Sequence, residues 1–86
     1  MTTIKIIIAD TQYLVRIGLE NLLSSNKDFK VIGEVSNSKE MLEMVQLHQP
    51  EVVIFDYNNP KSFTMEDISV IKKISPKTNF LIISAD

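Results

Sequence analysis

Residues 50–56 decide the fold of this 86-residue chain, and they read Pro50-Glu51-Val52-Val53-Ile54-Phe55-Asp56. The central residues are apolar and rich in β-branched side chains, which predicts a strand over 52–55 that is buried on both faces. Pro50 ends any preceding helix, and the Asn-Asn-Pro run at 58–60 predicts a turn soon after Asp56. Such a strand is typical of a parallel sheet covered by helices.

The same alternation of strand and helix extends in both directions along the chain. We predict further strands at 4–9, 30–35 and 80–83, the second less uniformly apolar and therefore near a sheet edge. Helices are predicted at 12–25, at 38–48, and between a Thr64 cap and the Ser75-Pro76 stop. This order predicts an α/β fold with a doubly wound parallel sheet, right-handed crossovers and helices on both faces.

Helical spacing of apolar residues predicts which side of each helix is buried. In the first helix, two neighbouring rows are expected to pack on the sheet: Leu14, Gly18 and Leu22, and Val15, Leu19 and Leu23. The expected stripes of the other two helices are Met41, Leu42 and Val45, and Met65, Ile68, Ile71 and Ile74.

The amino-acid composition argues against several kinds of functional site and partner for this chain. The chain has no Cys, which excludes disulfides and thiolate chemistry and makes the cytoplasm the expected location. Its 9 Lys and Arg against 11 Asp and Glu give a net charge of −2, so we expect no direct binding to nucleic acid. No apolar run approaches membrane-spanning length, and we therefore expect a soluble chain.

Three predicted strands end on polar residues, namely Asp10, Asp56 and Ser84. In open parallel sheets, ligands bind outside the carboxyl ends of the strands, so we expect these side chains to form one small acidic pocket. Two nearby carboxylates repel each other unless one is protonated or a cation is bound, and hard oxygen ligands favour Mg²⁺. The alternative is that each Asp merely caps the helix or turn after its strand.

The sequence resembles the receiver domain of two-component response regulators, most closely the NarL/LuxR type. The similarity rests on the motifs Ile7-Ile8-Ala9-Asp10, Tyr13-Leu14-Val15-Arg16-Ile17-Gly18-Leu19, residues 50–56, Pro60 and Ile82-Ile83-Ser84-Ala85. It implies a flavodoxin-like fold in which Asp56 accepts a phosphoryl group from a histidine kinase. It also implies that Asp10, Asp56 and the backbone carbonyl of Asn58 hold Mg²⁺, and that Ser84 hydrogen-bonds the phosphoryl group.

The chain departs from that family at two points. Thr11 stands where a second acidic residue is expected, so Mg²⁺ binding is expected to be weak. The residues after Asp86 that would supply a fifth strand, its Lys and the last helices have no counterpart, so residues 1–86 are interpreted as the N-terminal portion of a receiver domain. An exposed fourth strand at residues 80–83 would then be a template for a homodimer.

Three functions remain open from the sequence. The first is a phosphorylatable receiver, not itself an enzyme, that regulates transcription through an output domain outside this chain. The second is a degenerate receiver that acts as a phosphorylation-independent interaction module. The third is a small metal-dependent phosphatase with Asp56 as nucleophile, for which no additional general acid is visible.

Overall fold

A computed structural model of the chain describes residues 3–56 and 63–83. In these ranges four strands alternate with three helices: β1 (Ile4–Ala9), α1 (Tyr13–Ser24), β2 (Phe29–Val35), α2 (Ser38–His48), β3 (Val52–Asp56), α3 (Met65–Ile74) and β4 (Asn79–Ile83). The predicted strands and helices are confirmed, with ends that differ by at most one residue. None of the described helices is long and apolar enough to cross a membrane.

The described strands form one parallel sheet in the order β2-β1-β3-β4. This is the doubly wound, flavodoxin-like arrangement predicted from the sequence. The apolar strands β1 and β3 are central, whereas β2 and β4 lie at the edges of the described sheet. Between Ile6 and Ile7 the register with β2 shifts, because these residues pair with Val31 and Gly33 and leave Ile32 unmatched.

The helices cover opposite faces of the sheet. On the face of α2 and α3, the buried core comprises Ile7, Ala9, Val35, Met41, Val45, Val53, Phe55, Phe63 and Ile71. On the face of α1, the buried core comprises Ile6, Ile8 and Ile54, with partly buried Leu19 and Leu23 packed against it. Alternate residues of β1 and β3 therefore point to different helical layers, as the pleat requires.

Polar contacts join α2 to α3 at both ends. Thr64 and Asp67 form a capping box at the start of α3, and the Asp67 carboxylate also accepts a hydrogen bond from the Ser38 hydroxyl at 2.5 Å. At the other end, the Gln49 side chain donates to the Ile74 carbonyl at 3.1 Å. Gln49 ends α2 in the left-handed region, with φ 48°.

Two predictions about buried helix rows were wrong. Leu14 and Leu22 are 81% and 70% exposed and Gly18 is exposed as well, so this row of α1 points away from the described sheet. The sheet is contacted through Leu19 and Leu23 of the second predicted row, whose third member, Val15, is 36% exposed, so that part of the prediction was wrong as well. In α3, Met65 is also exposed, since it stands in the first turn beyond the core.

Candidate functional site

Asp10 is buried at the carboxyl end of β1, with 3% of its surface exposed. Its backbone N–H donates to the Val35 carbonyl of β2 at 3.0 Å, and its carboxylate Oδ1 accepts from the Gln12 N–H at 2.8 Å. Helix α1 has no side-chain cap from Gln12 and no acidic residue in its first turn. The Asp10 side chain thus closes the turn between β1 and α1, and its negative charge lies near a helix N-terminus, which favours it. A carboxylate has enough lone pairs to cap and to bind a cation as well.

Arg16 connects Asp10 to the neighbouring strand. Its Nη1 donates to the Asp10 backbone carbonyl at 2.6 Å, and its Nε lies 3.4 Å from Oε1 of Glu34 on β2. The guanidinium carbon also lies 5.6 Å from the centre of the exposed Tyr13 ring. Only 16% of the Arg16 side chain is exposed, so its charge is partly shielded from water and needs these partners.

The carboxyl group of Glu34 is repelled by Glu20 and attracted by Arg16. Burial raises the pKa of Glu34 above its ordinary value of 4.5, and a hydrogen bond and like charge from Glu20 raise it further. Arg16 acts in the opposite direction and lowers that pKa. This charged cluster lies on the outer side of β2, next to the start of α1.

The strand register places Asp56 beside Asp10 along the sheet edge. Ala9 pairs with Phe55, so Asp10 and Asp56 come directly after paired residues of adjacent strands. Adjacent parallel strands lie about 4.8 Å apart, which puts the two backbones side by side. Asp56 itself pairs with Ile83 of β4, and Ser84 is the next residue of the chain. The arrangement is the crevice at the strand ends where open α/β sheets bind ligands.

Part of the predicted site lies outside the described residues. Asn58 and Ser84 belong to that part, as does the side chain of Asp56. The convergence of Asp10, Asp56 and Ser84 in one pocket therefore stays a prediction, supported by backbone register. Thr11 is half-buried directly after Asp10, in the position where the family is expected to carry a second carboxylate.

The donor types at this edge fit Mg²⁺. Within residues 3–56 and 63–83, no three acidic, His or Cys side chains come together as a ready-made metal cage. Magnesium, however, is usually held by one or two carboxylates together with waters and phosphate oxygens. Asp10 supplies one such carboxylate, and the strand register brings Asp56 to the same edge.

The contacts of Arg16 are not among the features that the sequence pattern predicts. The contact depends on its position one turn into α1, on the same side as the end of β1. The spacing of six residues from Asp10 was visible in the sequence. The partner Glu34 was not, because it comes from a strand whose pairing only the fold reveals.

Comparison with known proteins agrees with this geometry. The family model for the response regulator receiver domain matches residues 6–86. The transcriptional regulatory protein YhcZ of Bacillus subtilis is 32% identical over 84 residues, which cover 94% of this chain and 38% of YhcZ. A protein-glutamate methylesterase/protein-glutamine glutaminase of Methanosarcina acetivorans is 31% identical over 70 residues, or 81% of this chain and 20% of that protein. The chain thus spans well under half of these curated relatives.

Comparison with a solved structure also shows similarity to a receiver domain. The signal receiver domain of the protein named as the response regulator NarL from Mycobacterium tuberculosis superposes with a TM-score of 0.89 at 26% identity. The superposition covers 100% of this chain and 69% of the NarL receiver chain. With a family match over residues 6–86 and a four-stranded parallel sheet in the order 2-1-3-4, this chain belongs to the response regulator receiver domain family of two-component systems.

Proposed function

We propose that this chain accepts a phosphoryl group on Asp56 from a histidine kinase, and that it regulates transcription through an output domain outside residues 1–86. The observation that carries the proposal is the parallel register that sets Asp56 next to buried Asp10 at the carboxyl edge of the sheet. Receiver domains interact with histidine kinases or phosphotransfer domains, and relatives such as YhcZ are transcription regulators.

The chemistry is a phosphoryl transfer between two nucleophiles. A carboxylate oxygen of Asp56 attacks phosphorus, the bond from phosphorus to the kinase His nitrogen breaks, and the nitrogen keeps the bonding electrons. The product is an aspartyl phosphate, and Ser84 would donate its hydroxyl to a phosphoryl oxygen. Asp10, Asp56 and the Asn58 carbonyl would hold Mg²⁺, which when bound neutralises charge on the phosphoryl oxygens.

The second candidate is a degenerate receiver that binds partners without being phosphorylated. Thr11 favours it, because a neutral side chain after Asp10 leaves one carboxylate fewer near the cation. The loss lowers metal affinity without abolishing it, since Mg²⁺ accepts one or two protein carboxylates. The two candidates therefore differ in whether Asp56 reacts at working Mg²⁺ concentrations.

Incubation with a small phosphodonor and Mg²⁺ tests the proposal by intact mass. We expect the wild-type chain to gain the mass of one phosphoryl group and Asp56→Asn to gain nothing, because an amide is not a nucleophile for this transfer. Thr11→Asp should react faster at low Mg²⁺, since it adds a carboxylate beside Asp10. A folded wild-type chain that stays unmodified, while Thr11→Asp is modified, would establish the degenerate receiver instead.

The proposal also covers the part of the receiver domain that this chain represents and its location in the cell. Residues 1–86 form the N-terminal portion of a receiver domain, which the partial coverage of the NarL receiver chain supports. Receiver domains of transcription regulators are generally not enzymes, although the methylesterase relative is one, and the family match here covers residues 6–86 alone. The absence of Cys supports a cytoplasmic location.

The β4 edge supports pairing with a second copy of the 86-residue chain. β4 lies at an edge of the described sheet, and Leu81 and Ile82 are 54% and 46% exposed there. Such an edge offers unpaired backbone groups to another strand. Light scattering at high concentration checks this expectation, and a stable, well-dispersed monomer would contradict it.

A further inference from the structure

Arg16 is placed to control the position of the Asp10 loop. Asp10 is held through three groups: its N–H by the Val35 carbonyl, its carboxylate by the Gln12 N–H, and its carbonyl by the Arg16 guanidinium. In the first two bonds the partner is a backbone group, the Val35 carbonyl or the Gln12 N–H. Changing the side chain of Val35 or Gln12 therefore leaves these bonds in place, unless Pro removes the N–H of residue 12. Of these three, only the third has a side chain of another residue as its partner, so it can be changed without altering Asp10 itself.

The guanidinium adds a side-chain link between the end of β1 and β2, beside the backbone bond from the Asp10 N–H to the Val35 carbonyl. One nitrogen reaches the Asp10 carbonyl at 2.6 Å and another reaches Glu34 on β2, with Oε1 at 3.4 Å. Arg suits this arrangement because its donors are spread over a rigid planar fork. A cation near the N-terminal end of a helix is unfavourable on its own. The Glu34 carboxylate from β2 offsets that cost, so the pair fixes where the guanidinium sits.

We infer that Arg16 is a positioning residue that orients Asp10 as a ligand for Mg²⁺, an inference that rests on the proposed function. Removing a group that hydrogen-bonds and orients a metal ligand commonly weakens metal binding by about 10–100-fold. Arg16 meets that description through the Asp10 carbonyl, which precedes Thr11 at the turn from β1 into α1. Its loss removes one of the bonds that hold the turn and leaves the Asp10 carboxylate less firmly oriented at the strand edge.

Charge and positioning predict opposite orders of Mg²⁺ affinity, which makes the inference testable. If Arg16 acted only as a nearby cation, its removal would relieve repulsion of Mg²⁺ and Arg16→Met would bind more tightly than wild type. In that case Arg16→Lys, which keeps the charge, would bind like wild type. If Arg16 positions Asp10, both variants bind Mg²⁺ more weakly than wild type. Arg16→Lys is weaker than wild type because an ammonium is a point donor that cannot serve both partners in the same geometry. It is less affected than Arg16→Met because it still carries a donor.

The experiment is an NMR titration of the ¹⁵N-labelled 86-residue chain with Mg²⁺ alone, without a phosphodonor. We expect the dissociation constant to rise about 10–100-fold in Arg16→Met and by a smaller factor in Arg16→Lys. Lys27→Met, an exposed turn residue beyond the far end of α1, is the control that removes one positive charge elsewhere. Amide hydrogen exchange without metal should be faster at residues 10–12 in Arg16→Met and unchanged in Lys27→Met.

A second variant separates positioning from fold stability. Glu34→Gln removes the ion pair but keeps the Arg16 bond to the Asp10 carbonyl, so it should weaken Mg²⁺ binding less than Arg16→Met does. Equal weakening in the two variants, tighter binding in Arg16→Met, or no Mg²⁺ binding by the wild-type chain would each overturn the inference. Weaker binding in the predicted order supports it even if Asp56 is never phosphorylated, which would defeat the proposed function alone.

Discussion

The two faces of the sheet are held by different forces. Among the described residues, nine buried side chains form the core under α2 and α3, whereas three form the core under α1. No residue of α1 is fully buried, and Leu14 and Leu22 are largely exposed. Besides the partly buried Leu19 and Leu23, Arg16 ties α1 to the sheet through the Asp10 carbonyl and Glu34. One face is a larger packed apolar layer, and the other combines a smaller apolar core with a polar contact next to the candidate site.

The difference places the larger apolar core and the Arg16 contacts on opposite faces of the sheet. Helices α2 and α3 are joined at one end by Ser38 and Asp67 and at the other by Gln49 and Ile74, over a shared apolar core. Close packing makes such a layer sensitive to any change in volume. The start of α1 carries few apolar contacts, so local movement there costs less. Under the proposed function, the loop from β1 into α1 lies beside the phosphoryl group, and it belongs to this less tightly packed side.

The largest expected effect is loss of volume in the α2 and α3 layer. Phe63 is fully buried, and its ring meets Phe55 edge to face with centroids 5.4 Å apart. Phe63→Ala should lower the free energy of unfolding by about 3–5 kcal/mol. Leu19→Ala on the α1 face should cost about 1–2 kcal/mol, because Leu19 is only partly buried. Urea denaturation measures both, and equal losses would refute the contrast between the faces.

A matched pair of glycines should respond with opposite signs. A Cβ added at Gly33 of β2 would clash with Cε of Met44 in α2, so Gly33→Ala should cost about 1 kcal/mol as that side chain moves. Gly18 in α1 has open space around it, and Gly18→Ala should stabilise by about 0.5–1 kcal/mol through helix propensity. Thermal unfolding of both variants decides the matter, and a destabilised Gly18→Ala would mean that α1 packs more closely than described.

The smallest effect is a pH dependence confined to the α1 side. Because burial and Glu20 raise the pKa of Glu34 above 4.5, this carboxyl group binds more protons in the folded than in the unfolded chain just above that pH. The contribution of Glu34 to stability should therefore fall as the pH rises from 4.5 through the raised pKa. Glu34→Gln should lack this decline, and exposed Glu43→Gln, with the same change in charge, should retain it. Parallel pH profiles for the wild type and Glu34→Gln would contradict the assignment.

Local pattern was sufficient to predict the order and type of the elements. β1 and α2 have the same ends in the structure as in the prediction, because an apolar β-branched run and a capped helical stripe are signals within a few residues. The parallel sheet followed from the alternation of strands and helices. The placement of Asp10 and Asp56 at one edge followed from the strands that precede them, and the observed register agrees.

The sequence by itself determined the strands, the helices and the edge at which the two aspartates stand, because those properties depend on neighbours along the chain. Only the tertiary structure decided that α1 packs Leu19 and Leu23 on the sheet rather than Leu14 and Leu22, and that Arg16 reaches both the Asp10 carbonyl and Glu34. Periodicity shows that a helix has an apolar side, but which row is covered depends on the surface that packs against it. Likewise, a lone Arg gains a partner only when strand pairing brings one within reach.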